Sequence, residues 1–193
     1  MSQKQQNSVG LETFKISHGN VSSVKECPSP HFDKRPDIND ISLLVIHYIS
    51  LPPEEFGQHF IDDFFQGKLD PNAHPYFKEI ADLRVSSHCL INREGNVTQY
   101  VNLNDRAWHA GLSSFQGREK CNDFAIGIEL EGSDNQPFTQ AQYDTLIALT
   151  KSIMQAYPKI TKDRIVGHCH ISPGRKIDPG KYFEWDKYLT AIK

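Results

Sequence analysis

Two histidines and an aspartate occupy positions from which a metal could be held. His47 lies near the end of the apolar run ISLLVIHYI (41–49), His168 near the end of RIVGHC (164–169), and Asp178 ten residues further on in the turn-rich stretch ISPGRKIDPG (171–180). Imidazole and carboxylate suit zinc, and a catalytic zinc takes three protein ligands and keeps one position open. Side chains at strand ends are held rigidly, as such a site requires. Each residue also has a plain structural explanation. A strand histidine is often a hydrogen-bonded core residue, and Asp-Pro-Gly is often only a turn.

Two further residues could move protons or charge. In FAIGIELEG (124–132) the residues alternate, with Ile126, Ile128 and Leu130 on one face and Gly127, Glu129 and Glu131 on the other. Glu129 is either solvated or a pocket carboxylate able to act as general base on a metal-activated water. Lys176, two residues before Asp178, is either a solvated loop lysine or a cation for a developing oxyanion. His170 would share a face with His168 if that strand continued, which makes it an alternative ligand. Cys169 would then face the opposite way, into the core. Trp108 and His109, in DRAWHAGLSSFQGREKC (105–121), either line a groove or serve the structure.

These residues need elements to hold them. The run 41–49 predicts a buried strand. SSHCLI and NVTQYV, joined by a turn containing Gly95, predict a hairpin over 86–101. The segments 124–132 and 164–169 predict two more strands. FTQAQYDTLIALTKSIMQAYP (138–158) predicts a helix with Thr139 as N-cap and Pro158 past its end, and 183–192 a second, amphipathic one. Residues 51–81, rich in Pro and Gly, predict a long loop over one face with a short helix between Glu54 and Phe65. The expected fold is therefore α/β: a single domain with a central mixed β-sheet flanked by helices. Residues 1–25 are polar and aperiodic, and predict a flexible extension ahead of a catalytic domain at 26–193.

Bulk properties narrow the function classes. With 193 residues and a net charge of −3, the chain lacks the basic excess of a nucleic-acid binder. No apolar run reaches the length of a membrane span, and the N-terminus has no apolar signal core. The expectations are no nucleic-acid or membrane partner and a cytoplasmic location. Cys27, Cys89, Cys121 and Cys169 are expected as free thiols. A thiol hydrolase on Cys169 or Cys89 is a competing reading, although neighbouring strand residues such as His168 and Cys169 would point apart.

The stretches PSPHFDKRP, LLVIHYISLPPEEFG, DPNAHPYF, LRVSSHCLINREG, RAWHAGLSSFQGREKCNDFAIGIELEG and GHCHISPGRKIDPG resemble the AmpD family of anhydromuramyl-L-alanine amidases, part of a larger group that includes the peptidoglycan recognition proteins. The likeness runs over about residues 27–188. It implies zinc dependence, one ion per chain, with ligands His47, His168 and Asp178, a catalytic acid-base residue at Glu129 and a catalytic lysine at Lys176. It implies hydrolysis of the amide between N-acetylmuramic acid and L-alanine, with soluble anhydromuropeptides of cell-wall recycling as substrate. Tyr48 stands where that family often has Asn, beside the substrate. Arg84, Arg118 and Lys120 are candidate anchors for the carboxylates of a stem peptide, and Trp108 and His109 candidate groove residues. A broad amidase acting on polymeric wall and a non-catalytic peptidoglycan-binding module are the competing readings.

Overall fold

The apolar runs form the middle of one sheet, where both faces are covered. In the computed structural model of the protein, which describes residues 13–192, this sheet has strands β1 (Lys25–Glu26), β2 (Leu43–Ile49), β3 (Cys89–Ile91), β4 (Val97–Gln99), β5 (Ala125–Glu131) and β6 (Ile165–Gly167), in the spatial order β6-β2-β5-β3-β4-β1. Strands β6, β2, β5 and β3 run parallel to their neighbours. β4 returns antiparallel on β3 as the expected hairpin, and β1 lies parallel to β4. The sheet is thus mixed.

Side chains alternate across β2 and β5, and the two faces have different uses. Leu44, Ile46, Ile126, Ile128 and Leu130 pack with Leu146, Leu149 and Ile153 of the helix α3 (Gln140–Ala156), and with Tyr188 of the helix α5 (Trp185–Ala191). Thr139 caps α3 in a reciprocal box: its hydroxyl accepts from the Gln142 N–H at 3.1 Å, and the Gln142 side chain accepts from the Thr139 N–H at 3.0 Å. The opposite face carries Leu43, Val45 and Ala125 in a smaller apolar cluster, followed along the strands by His47 and Glu129.

Three expectations change. Residues 51–81 are more ordered than a loop. They hold the short helices α1 (Phe60–Phe65) and α2 (Phe77–Ile80), whose Ile61, Phe64, Phe65 and Phe77 join Leu90 and Tyr100 in a second apolar cluster over the site face. The anticipated 54–65 helix covers only its last turn and a half, because the Pro- and Gly-containing residues before it do not hold helical backbone. Of the expected flexible extension, residues 1–12 lie outside the described residues. Residues 13–25 include the paired short strands Ile16–Ser17 and Asn20–Val21, with Val21 buried in the main core. Finally, the strand predicted through 169 stops at Gly167, and His168–Ile171 form the short helix α4.

Candidate metal centre

His47 and Glu129 stand side by side because β2 and β5 are parallel and in register, with Glu129 opposite His47. His168 arrives from the next strand on the other side of β2, as the first residue of α4 directly after β6. The loop that follows brings Asp178 back over the strand end, where its carbonyl accepts from the Cys169 N–H at 2.9 Å. His47, His168 and Asp178 each offer one ligand atom to a common point, within 4.8 Å of one another, and all are buried. The Nδ1 atoms of the two histidines are 3.0 Å apart, and Asp178 Oδ2 lies 2.9 Å from His47 Nδ1 and 3.1 Å from His168 Nδ1.

Hydrogen bonds alone do not account for that triangle. His168 Nε2 lies 3.0 Å from the carbonyl oxygen of Ala110, so it carries the ring proton and a neutral His168 presents a lone pair at Nδ1. The carboxylate of Asp178 can only accept. Two acceptors then face each other at the centre of a buried cluster, an arrangement that a cation resolves. Two imidazoles and a carboxylate match the donor preferences of zinc.

The electrostatics follow from burial. Burial opposes ionisation of Asp178, but positive charge on the side of His168 and His47, carried as a proton or as a cation between them, outweighs it and holds the carboxyl below the usual range. Burial pushes His47 down, against the opposing pull of Asp178. Glu129 is 8% exposed, and its Oε2 has no hydrogen-bond partner among the described residues. Its pKa is raised well above that of an ordinary carboxyl, first by burial and then by the charge of Asp178, with Lys176 pulling the other way. The solvated alternative for Glu129 is excluded by this burial.

A cavity of about 590 Å³ opens on the cluster, lined by His47, Glu129, His168 and Asp178. Tyr48, Trp108, His109 and Lys176 line it as well, and the second apolar cluster supplies a wall through Phe64, Phe65 and Ile80. Lys176 stands exposed at the rim. Trp108 is fixed by its indole N–H, which donates to Asp33 at 3.1 Å, and by its stacking on His31.

The other candidate anchors lie elsewhere. Arg84 is exposed and outside the cavity lining, although Leu83 and Val85 belong to it. Arg118 pairs with Asp40 at 2.6 Å and covers the Phe124 ring. Lys120 borders a separate depression with Gly111 and Pro173. His170 is not beside His168 on a strand. Its Nδ1 accepts from the Gly167 N–H at 2.9 Å, starting α4, and its ring packs on Trp185. Cys169 is half-buried rather than core, and all four cysteines are free.

Sequence reasoning missed Arg175 and Asn122. Arg175 lines the cavity and donates to the carbonyls of Ala110 and Leu112 at 3.0 and 2.7 Å, tying the Lys176–Asp178 loop to the 108–112 turn. Asn122 Oδ1 accepts from the backbone N–H groups of His109 and Ala110 at 3.1 and 2.8 Å. No signal of residue type marks either one, since both act on backbone.

Comparison with known proteins places this geometry. Residues 37–181 match the family described as N-acetylmuramoyl-L-alanine amidase. The chain is 70% identical over 178 residues to the 1,6-anhydro-N-acetylmuramyl-L-alanine amidase AmpD of Haemophilus influenzae, covering 92% of this chain and 97% of that protein. A crystal structure of a selenomethionine AmpD derivative superimposes with a TM-score of 0.90 at 53% identity, covering 92% of this chain and 99% of that one. The Escherichia coli amidase AmiD, solved in complex with anhydro-N-acetylmuramic acid-L-Ala-D-γ-Glu-L-Lys as substrate, matches with a TM-score of 0.59 at 29% identity, over 92% of this chain and 65% of that one.

Proposed function

The chain belongs to the N-acetylmuramoyl-L-alanine amidase family and is an amidase, and from that premise we propose that it hydrolyses the amide between (1,6-anhydro-)N-acetylmuramic acid and L-alanine in soluble peptidoglycan fragments, as a step in cell-wall recycling. The observation that carries the reading is the convergence of His47, His168 and Asp178 beside Glu129 on the floor of the cavity. The substrate class is supported by the 70% identity to an enzyme named for it and by the anhydromuramyl peptide bound in the AmiD relative.

In this reading His47, His168 and Asp178 hold one zinc ion per chain. The ion would supply Lewis acidity to the scissile carbonyl and to the attacking water. Glu129 takes the proton from that water and delivers it to the leaving nitrogen of L-alanine. Its buried surroundings raise its pKa above that of an ordinary carboxyl, which makes it the stronger base. The Lys176 ammonium, at the rim, stabilises the negative charge that grows on the carbonyl oxygen. Tyr48, Trp108 and His109 line the cavity into which the sugar and the first residue of the stem would fit. Arg84, Arg118 and Lys120 could meet only the outer part of a longer peptide.

The test is to incubate the purified protein with a soluble anhydromuramyl peptide and with intact sacculi at matched bond concentration, following both by mass spectrometry. Faster cleavage of the soluble fragment, abolished by a chelator and restored by zinc, is expected. Equal release from sacculi would replace the reading with that of a wall amidase. Binding without cleavage would make the protein a recognition module. The same proposal puts the enzyme in the cytoplasm, where fragments imported for recycling would meet it, and cell fractionation checks that.

No helix among the described residues is long and apolar enough to cross a membrane.

A further inference from the structure

The two imidazoles of the metal centre are each met from behind by one short turn, Trp108–Gly111. His168 uses Nε2–H to reach the Ala110 carbonyl at 3.0 Å. His47 presents Nδ1 to the cluster and places Nε2 2.9 Å from His109 Nδ1. If Nδ1 of His47 is the ligand atom, its lone pair points at the metal and the ring proton resides on Nε2. That proton is then donated to His109 Nδ1. His109 in turn carries its own proton on Nε2, a buried atom with no partner among the described residues.

The turn is itself clamped. Asn122 Oδ1 accepts from the N–H groups of both His109 and Ala110, and Arg175 donates to the Ala110 carbonyl from the outside. The His109 ring is wedged between the rings of His47 and His88, with centroids 5.0 and 5.6 Å away. It also occupies space that a side chain at 127 would need, because a Cβ on Gly127 would come within 2.6 Å of it. Strand β5 therefore has a glycine where His109 must pass to reach His47.

We infer that the Trp108–Gly111 turn orients both histidine ligands, with His109 as a positioning residue that fixes the tautomer and ring plane of His47, and the Ala110 carbonyl doing the same for His168. The inference rests on the reading of His47 and His168 as zinc ligands. Outer partners of this kind hold the ligand nitrogen towards the metal and raise its basicity, and losing one typically weakens metal binding by about 10- to 100-fold.

The experiment measures zinc affinity by competition with a chromophoric chelator in the wild type, His47→Ala, His109→Asn and His109→Leu, with thermal unfolding of each metal-free protein as a control. Asn and Leu have nearly the same shape, but only Asn offers an acceptor near the position of Nδ1. His109→Leu should lose about 10- to 100-fold in zinc affinity, while His109→Asn stays within about threefold of wild type. If His109→Leu does not fold, His109→Gln takes its place, because its amide reaches past the Nδ1 position; the expected loss is the same. Wild-type affinity in the Leu protein overturns the inference, and so does an Asn protein as weak as the Leu one. A wild type that binds no zinc, or a His47→Ala protein that binds it undiminished, would instead overturn the ligand reading beneath it.

Discussion

Strand β5 has a buried polar cluster on each side of its midpoint, and the two are built differently. Near its start, Arg35 sends Nη1 to the carbonyls of Asn122 and Asp123 at 3.0 and 3.3 Å, and Nη2 to those of Leu103 and Ala125 at 3.2 and 2.8 Å. His88 accepts the Gly127 N–H at Nδ1 at 3.0 Å, and its Nε2 lies 3.1 Å from the Asp105 carbonyl and also 3.1 Å from Arg35 Nη2. Of these side-chain atoms only Arg35 Nε lacks a partner. Near the end of β5, acceptors face each other across His47, His168 and Asp178, and both Glu129 Oε2 and His109 Nε2 are left over. Buried polar atoms are normally paired, and each exception calls for an explanation. The first cluster holds loops together with bonds it already has. The second is arranged around chemistry that the protein alone does not complete.

The largest expected effect would divide the two clusters by turnover. Glu129→Gln and Lys176→Ala should each lower kcat by about 100- to 1000-fold, with KM changed far less, because both groups act mainly in the transition state. Fold and zinc content should be retained. Wild-type kcat in Glu129→Gln would remove the general-base role and leave that carboxylate as one more structural polar group.

Next comes metal removal. Zinc that binds only the folded protein adds about 4 kcal/mol of stability when present at about 1000 times its dissociation constant. That increment should appear in denaturant titrations of the wild type on adding zinc to chelator-treated protein. It should vanish in Asp178→Ala and His47→Ala. An Asp178→Ala protein stabilised by zinc as much as wild type would show that the carboxylate is not a ligand.

The reciprocal test lies in the first cluster. Arg35→Leu leaves buried carbonyls without a donor, and should destabilise the protein by about 3 kcal/mol, measured by urea unfolding in the absence of metal. Per folded molecule, kcat should be unchanged. A loss of turnover without loss of stability would mean that the two clusters work as one.

What could be read in the chain beforehand follows the same division. Strand β2 was legible because a continuous apolar run has few other solutions, β5 because its apolar residues alternate with polar ones, and α3 because Thr139 marks its start and Pro158 lies past its end. The helical start at His168 was not, since RIVGHC continues as a strand until the imidazole of His170 accepts the Gly167 N–H. Residue type and family resemblance singled out His47, His168 and Asp178, but only the fold brings together residues 121 and 131 positions apart. The surroundings of that centre were illegible for a physical reason. Ala110 contributes a carbonyl, which every residue has, while Asn122 holds two backbone N–H groups and Gly127 leaves room for the His109 ring, and neither residue type says in the sequence what it will meet. The placement of the candidate carboxylate anchors was illegible for a related reason: an exposed cation in a sequence gives no direction, and the structure sets Arg84 and Lys120 outside the cavity lining and Arg118 on Asp40 and Phe124.

The smallest expected effect concerns pH and separates His88 from the metal centre. Burial, reinforced by the neighbouring charge of Arg35, lowers the His88 pKa to about 3. In the unfolded chain a histidine titrates near 6.5. The folded value is the lower one, so as pH falls the unfolded chain takes up the proton first. No stability is lost to this group above about pH 6.5, and the loss grows between about pH 6.5 and 3. From pH 7 to pH 5 it should amount to about 2 kcal/mol. His88→Asn removes the titrating ring. The variant will be less stable at pH 7, having exchanged two well-placed bonds for at most one, but its stability should fall less steeply over that interval. Urea unfolding of both proteins at pH 7 and pH 5, in chelator so that zinc release does not contribute, gives the difference between the slopes. His47 and His109 are also held down by burial, and they are common to both proteins, so their share cancels. Parallel slopes would show that His88 is not the buried neutral histidine its bonds to Gly127 and Asp105 describe, and the first cluster would then lose its claim to be the satisfied one.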